Sequence, residues 1–214
     1  MPFASRVDDV AALRRHYAQP HPNVANKAID HLDPRSRDFI ALAPFVVLAT
    51  TGDRGTDASP RGGPPGFVRV LDDRRLALGD LAGNRRLDSF ENVLANPAVG
   101  LLFLVPGMGE TLRVNGRASL TTDPAVLDAC TIDGVRPGVA VGVDVDEVFL
   151  HCAKAFRRSG LWDPATWPAD GDRPRAADIW KSQLGFDAPS EAIEADLEAG
   201  YRATMWEPGG VDTA

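Results

Sequence analysis

The chain of 214 residues carries 30 acidic against 23 basic side chains, for a formal charge of −7, and is 44% apolar and 25% charged, the balance of an ordinary globular domain. This excludes the broad basic face needed for general nucleic-acid binding, and a count of two cysteines, Cys130 and Cys152, excludes a disulfide-dense secreted scaffold. Residues 1–6 hold no apolar signal core and the longest apolar run, residues 99–105, is too short to cross a bilayer, so a cytoplasmic protein with reduced thiols and no membrane or nucleic-acid partner is expected.

In chain order, the first forty residues read as helical and peripheral. Val10, Leu13 and Tyr17 recur at i, i+3 and i+7 on one helical face. Pro20 and Pro22 interrupt the chain, and a second helical stretch covers residues 36–43 before Pro44. From Phe45 the texture becomes that of short strands. Residues 45–51 close on Gly52-Asp53-Arg54-Gly55, residues 56–61 resume, and Gly62-Gly63-Pro64-Pro65-Gly66 breaks the run. Residues 67–71 and 75–78 read as a hairpin around Asp72-Asp73.

A helix follows, with Leu87, Phe90 and Leu94 inward, Asp88, Glu91 and Asn92 toward water, Asn84 as its N-cap and Asn96-Pro97 as its close. Residues 99–105 are apolar throughout and read as a strand buried on both faces. The next strand, 110–120, alternates: Leu112, Val114 and Ala118 share one face, Thr111, Arg113, Asn115 and Arg117 the other. A short helix over 123–129 and a long strand over 139–151 follow. The remainder is Pro- and Trp-rich and irregular, with an exposed loop over 168–174 and an acidic helix over 190–201 that turns Ile193 and Leu197 inward. Disorder is expected only in the last few residues. Strands of this length and spacing point to a small antiparallel barrel or sandwich.

Three features carry chemistry. If the helix starts after Asn84, Arg85 and Arg86 fall in its first turn, where the helix dipole disfavours cations unless an anion is present. A phosphate would accept from both guanidinium groups and the free backbone N–H groups, and Ser89 would add a hydroxyl. The alternative is pairing of these arginines with Asp88, Glu91 or another acid. Second, Ser59-Pro60-Arg61-Gly62 sets an arginine at a strand end beside a glycine that permits close approach; a solvated arginine is the alternative. Third, the polar face with Arg113 and Arg117 either meets solvent or lines a site.

Together these segments resemble the FMN-binding split-barrel superfamily typified by pyridoxamine 5′-phosphate oxidase. The likeness runs over residues 39–162. It is carried by Ser59-Pro60-Arg61-Gly62, by Gly83-Asn84-Arg85-Arg86-Leu87-Asp88-Ser89 with its helix ending in Asn96-Pro97, and by Arg113-Val114-Asn115-Gly116-Arg117-Ala118. Lys154, Arg157, Arg158, Ser159, Leu161 and Trp162 after the last strand make it similar to a branch of FMN-dependent enzymes of uncharacterised function. The resemblance implies a mainly β, α+β fold built on a six-stranded antiparallel Greek-key split barrel. It divides the chain into a helical segment (1–44), the FMN-binding barrel (45–162) and a C-terminal extension of the same domain (163–214).

The resemblance also implies site residues. Arg61 matches the arginine that starts the flavin-contacting strand, and Arg85 and Arg86 match the pair on the FMN phosphate. Gly79 and Asp80 match contacts just upstream. Thr111 falls where the oxidases use a glutamine from the partner subunit, implying a homodimer with the flavin at its interface, and Trp162 approaches the isoalloxazine edge. With Ser59, Pro60, Gly62, Asn84, Ser89 and Arg113 these form the expected cofactor-binding set. The Arg-x-His motif that the vitamin B6 oxidases carry near the C-terminus does not occur after Trp162, and Gly63 stands where an acid is expected, so B6 vitamers are not the expected substrate.

The expected function is an FMN-dependent oxidoreductase acting on a small molecule, in which Arg113 or Arg117 stabilises negative charge on reduced flavin. No residue stands out as a catalytic acid or base. The alternatives are a flavin store or sensor, or a relative binding deazaflavin or haem, with His151 as the barrel histidine for the last. No metal site is expected: His151 and Cys152 are adjacent strand positions that point to opposite faces. Neither a Gly-x-Ser-x-Gly elbow nor a Walker or dinucleotide-binding glycine motif occurs.

Overall fold

The computed structural model describes residues 3–209. The disorder expected of the last few residues, and the Met1 and Pro2 of the signal-peptide reading, lie outside the described residues. Seven strands, β1 (Phe45–Gly52), β2 (Gly55–Gly62), β3 (Val68–Val70), β4 (Arg75–Gly79), β5 (Ala98–Leu104), β6 (Thr111–Thr121) and β7 (Ala140–His151), form one sheet. Their order is β2-β1-β5-β6-β7-β4-β3, and every pairing is antiparallel. The mainly β, α+β expectation holds, but the strand count is seven rather than six. The three-residue β3, with Val68 tucked into the core, adds an edge strand beside β4.

Alternation decides which face is the core. Val46 and Leu48 of β1 lie opposite Phe103 and Leu101 of β5, which lie opposite Leu112 and Val114 of β6. These residues join Leu76 and Leu78 of β4 in a single apolar cluster, so the sheet curls around one core. Leu112, Val114 and Ala118 are buried as expected. β5 is not buried on both faces: Val99, Leu101 and Phe103 point inward, while Gly100, Leu102 and Leu104 are only half-buried on the outer face.

Eight helices accompany the sheet: α1 (Val10–Arg14), α2 (Pro22–Ala25), α3 (Pro34–Leu42), α4 (Asp88–Ala95), α5 (Pro124–Ala129), α6 (Lys154–Ser159), α7 (Ala176–Leu184) and α8 (Ser190–Thr204). Helix α3 starts where proline fixes the first helical residue and the Asp33 carboxylate accepts from the N–H groups of Arg35 and Ser36. Its Phe39 and Ile40 plug the core. In α1, by contrast, nothing is buried, and Val10, Leu13 and Tyr17 are exposed, so the periodic face read there has no partner within the described residues. Ile193 of α8 is buried and Leu197 is half-buried, as expected, and the irregular stretch also contains α6 and α7. Both cysteines are free. No helix among the described residues is long and apolar enough to cross a membrane.

Candidate functional site

The sheet does not close on itself. β2, the edge strand at one end of the order, faces β4 near the other end. Residues of β2 that share the inner face, Asp57, Ser59 and Arg61, pair with Thr50, Leu48 and Val46 of β1. Inner-face positions that are apolar on the central strands thus become polar on this edge, and the opening acquires a polar wall.

Arg61 reaches across it to Asp80, the first residue beyond β4, at 3.5 Å. That is long for a charge-assisted hydrogen bond. Its guanidinium also lies over the Phe90 ring, 5.7 Å from the centroid. The Arg61 Nε is buried and has no acceptor among the described residues, an uncommon state for a buried donor. Burial pushes the Asp80 carboxyl above its ordinary range, against the opposing pull of Arg61.

Residues 80–87 form the other wall. Arg85 and Leu87 adopt left-handed backbone, φ +56° and +58°, which is uncommon for non-glycine residues. This corrects the expected helix start. Leu87 breaks the helical path, so α4 begins at Asp88 and Leu87 is its N-cap position, without a side-chain cap bond. Asn84 instead accepts from the Arg86 N–H at 3.1 Å within the loop. Arg85 and Arg86 therefore precede the first turn, which holds Asp88 and Glu91 and so suits the dipole. The dipole argument for an anion falls; two arginines on the cleft wall remain.

Arg86 takes the alternative partner foreseen for it: its Nε donates to Asp88 at 2.7 Å. Arg54 bridges Asp88 and Glu91 at 2.8 and 2.6 Å. Arg86 first, and Arg54 after it, hold the Asp88 carboxyl below the usual range. The buried face of α4 also differs from expectation. Ser89, Phe90, Asn92 and Val93 are buried, whereas Leu87 and Leu94 are exposed. Asn92 turns inward because its amide donates to the Thr50 hydroxyl at 3.1 Å.

One cleft of about 630 Å³ gathers Ser59, Pro60, Arg61, Asp80, Asn84, Arg85, Arg86 and Ser89. Gly62 and Gly79 line an adjoining hollow of about 180 Å³, and a side chain at Gly79 would strike Pro137 and Cys130. Three expected residues lie elsewhere in the chain. Thr111 is buried opposite His151. Arg113 lies 4.3 Å over the Phe149 ring, which also carries Lys27 at 4.9 Å. Trp162 donates to the Met108 carbonyl at 2.8 Å and stacks on Phe156 beside a separate hollow. His151 stays below its ordinary pKa through burial, then through Arg113 and Lys27. No group of metal-ligating side chains occurs among the described residues.

Sequence reading missed Asp57, which accepts from Ser89 Oγ at 2.9 Å. Its place two and four residues before Ser59 and Arg61 on one strand was the available signal. It also missed Phe90 as the platform under Arg61, and residues 207–209, which line the cleft and announce themselves by no motif.

The profile of the pyridoxamine 5′-phosphate oxidase family matches residues 32–152. No curated protein matches the sequence. Among solved structures, the chain is similar to the HupZ protein of Group A Streptococcus, at 18% identity over 55% of this chain and 92% of that one, with a TM-score of 0.45. It is also similar to general stress protein 26 of Bacillus anthracis, at 16% identity over 53% and 88% with a TM-score of 0.42. A third is an FMN-binding protein of Syntrophomonas wolfei, at 10% identity over 54% and 88% with a TM-score of 0.39.

Proposed function

The chain belongs to the pyridoxamine 5′-phosphate oxidase family, and from that premise we propose that the arginine-lined cleft holds flavin mononucleotide for an oxidoreductase reaction on a small molecule. The observation that carries this reading is the buried Arg61 Nε, which has no acceptor among the described residues and sits in the same cleft as Arg85, Arg86 and Ser89. A ligand with a polyol chain and a phosphate supplies an acceptor for that Nε and an anion for Arg85 and Arg86, whose guanidinium groups suit phosphate because they donate in a planar fork.

In this reading Arg85 and Arg86 grip the phosphate, with Arg86 exchanging its bond to Asp88 for one to the ligand. Arg54 stays on Asp88, so that carboxylate does not lose its only cation. Ser89 turns its hydroxyl from Asp57 toward the phosphate, and Arg61 donates through Nε to the ribityl side. Bound FMN supplies hydride and single-electron chemistry, while the protein fixes its position and electrostatics. Residues 45–162 act as the cofactor-holding unit, with Phe39 and Ile40 of α3 packed into its core and residues 207–209 lining its cleft.

Arg113 and Trp162 enter the site from a second copy of the chain, as a homodimer with flavin at the subunit interface, whereas the Thr111 side chain stays buried in its own chain. Arg113, held flat on Phe149 beside Lys27, places positive charge where reduced flavin is negative.

The purified protein is expected to be yellow, to release FMN on denaturation and to run as a dimer in light scattering. Replacing both Arg85 and Arg86 by Ala is expected to weaken FMN binding about 100-fold or more without unfolding the sheet. Colourless protein that FMN cannot reconstitute, or unchanged affinity in the double variant, sinks the assignment. Anaerobic mixing with NADH or NADPH, followed by oxygen, distinguishes a turning-over reductase from a flavin store.

A further inference from the structure

One wall of the cleft comes from the far end of the chain. After α8, residues 207–209 run antiparallel to residues 80–82: the Ala82 N–H donates to the Glu207 carbonyl at 2.8 Å and the Gly209 N–H to the Asp80 carbonyl at 3.0 Å. Leu81 and Pro208 form the bridge between them. Gly209 lies directly against the Asp80 side chain, and any Cβ there would collide with its carboxylate. Glu207, Pro208 and Gly209 all line the cleft that contains Arg61, Arg85 and Arg86.

This wall is weakly held. The two helices before it bury little: Ala177 is the buried residue of α7 and Ile193 that of α8. Two backbone hydrogen bonds are a small part of the stability of a whole domain, so a segment held in this way opens locally and far more often than the sheet unfolds. When closed, it lies against the Asp80 carboxylate that faces Arg61, and excluding water there strengthens every interaction between the cleft arginines and an anion.

We propose that residues 207–209 are a detachable strap that closes over the bound flavin and whose opening sets the rate at which the cofactor enters and leaves. The proposal rests on the flavin reading above and adds residues and a motion to it. The strap is tied to the same residues, 80–82, that lead into the arginine-bearing loop, so opening it frees that loop on one side. Gly209 suits the closed position, because a side chain there would push the Asp80 carboxylate aside and crowd the Leu81 carbonyl.

The test is the FMN release rate of the loaded protein, followed by the rise of free-flavin fluorescence on dilution, in wild type, in Gly209→Ala and in a chain ended after Met205. Both changes are expected to speed release about tenfold or more. In the cofactor-free protein they are also expected to accelerate hydrogen exchange at the Ala82 amide while exchange in β5 and β6 stays as in wild type. Unchanged or slower release in both variants overturns the strap. If the wild type takes up no FMN at all, the flavin reading fails first, and that outcome is distinct from FMN-loaded variants with unaltered release. If Gly209→Ala misfolds, the shortened chain decides.

Discussion

Arg61 and Arg113 occupy parallel settings on opposite faces of the sheet. Each lays its guanidinium on a phenylalanine, Phe90 or Phe149, and each has a buried Nε without an acceptor among the described residues. They differ in the charge around them. Arg61, on the inner face at the open edge, has Asp80 at 3.5 Å. Arg113, on the outer face, shares its ring with Lys27, lies near His151 and makes no ion pair among the described residues. The first cation is partly neutralised by its own chain and loosely enough to take a further acceptor. The second shares its ring with a further cation, Lys27, and has no acid within ion-pair distance among the described residues, which suits an anionic group brought by another molecule. One fold thus holds two arginines in similar packing but in different charge surroundings, one with an acid of its own chain and one without.

Substitution can break that contrast. Arg61→Ala leaves the half-buried Asp80 without its cation and is expected to cost about 1–3 kcal/mol in urea unfolding of the cofactor-free protein. Adding Asp80→Asn should recover most of the loss; if the double variant is no better than the single, the pair does not act as described. Arg113→Ala removes a cation from a ring and no ion-pair partner. Its expected cost is about 0.5–1 kcal/mol, together with a weaker dimer in sedimentation, and a larger stability loss than that of Arg61→Ala would reverse the comparison.

A third arginine supplies the exposed limit. Arg74 pairs with Asp30 at 2.8 Å where the N-terminal segment meets the sheet. Hydrogen bonds from His31 and Arg74, and the charge of Arg74, hold the Asp30 carboxyl at about 2. Because this folded-state value is depressed, the latch is complete above the ordinary carboxylate range and is lost as pH falls from about 4 toward about 2. Global stability should barely register it. Hydrogen-exchange protection around Ile29, whose N–H donates to the Val148 carbonyl at 3.0 Å, measured relative to the intrinsic rate at each pH, is expected to fall in that window. A protection factor there that does not change with pH removes the role of the latch.

Much of the fold was legible because strands announce themselves locally. Alternation gave the correct inward face of β6, and the turn clusters gave the break between β1 and β2 and the hairpin of β3 with β4. The failures share a cause, which is dependence on distant partners. The 87/90/94 spacing in α4 fits a helical face as well as 90/93 does, and only the Thr50 hydroxyl, far off in sequence, decides that Asn92 turns inward. The left-handed turn at Leu87 that delays the helix has no glycine to mark it. Arg61, singled out by the family resemblance, and Arg85 and Arg86, singled out by a helix start that lies further on, share one cleft. Residues 207–209 join it through main-chain bonds, which no side-chain pattern encodes.

Pro60 gives the open edge a further property. It lies within β2, the strand at the end of the sheet, where proline is tolerated because one side of an edge strand carries no ladder bonds. A proline on that side denies an incoming strand one of the donors it would need. The opening in the sheet is therefore a poor template for self-association into fibres or for capture of an extended peptide. It can stay permanently unpaired, and so available to a small molecule, without the aggregation hazard that an unblocked edge would carry.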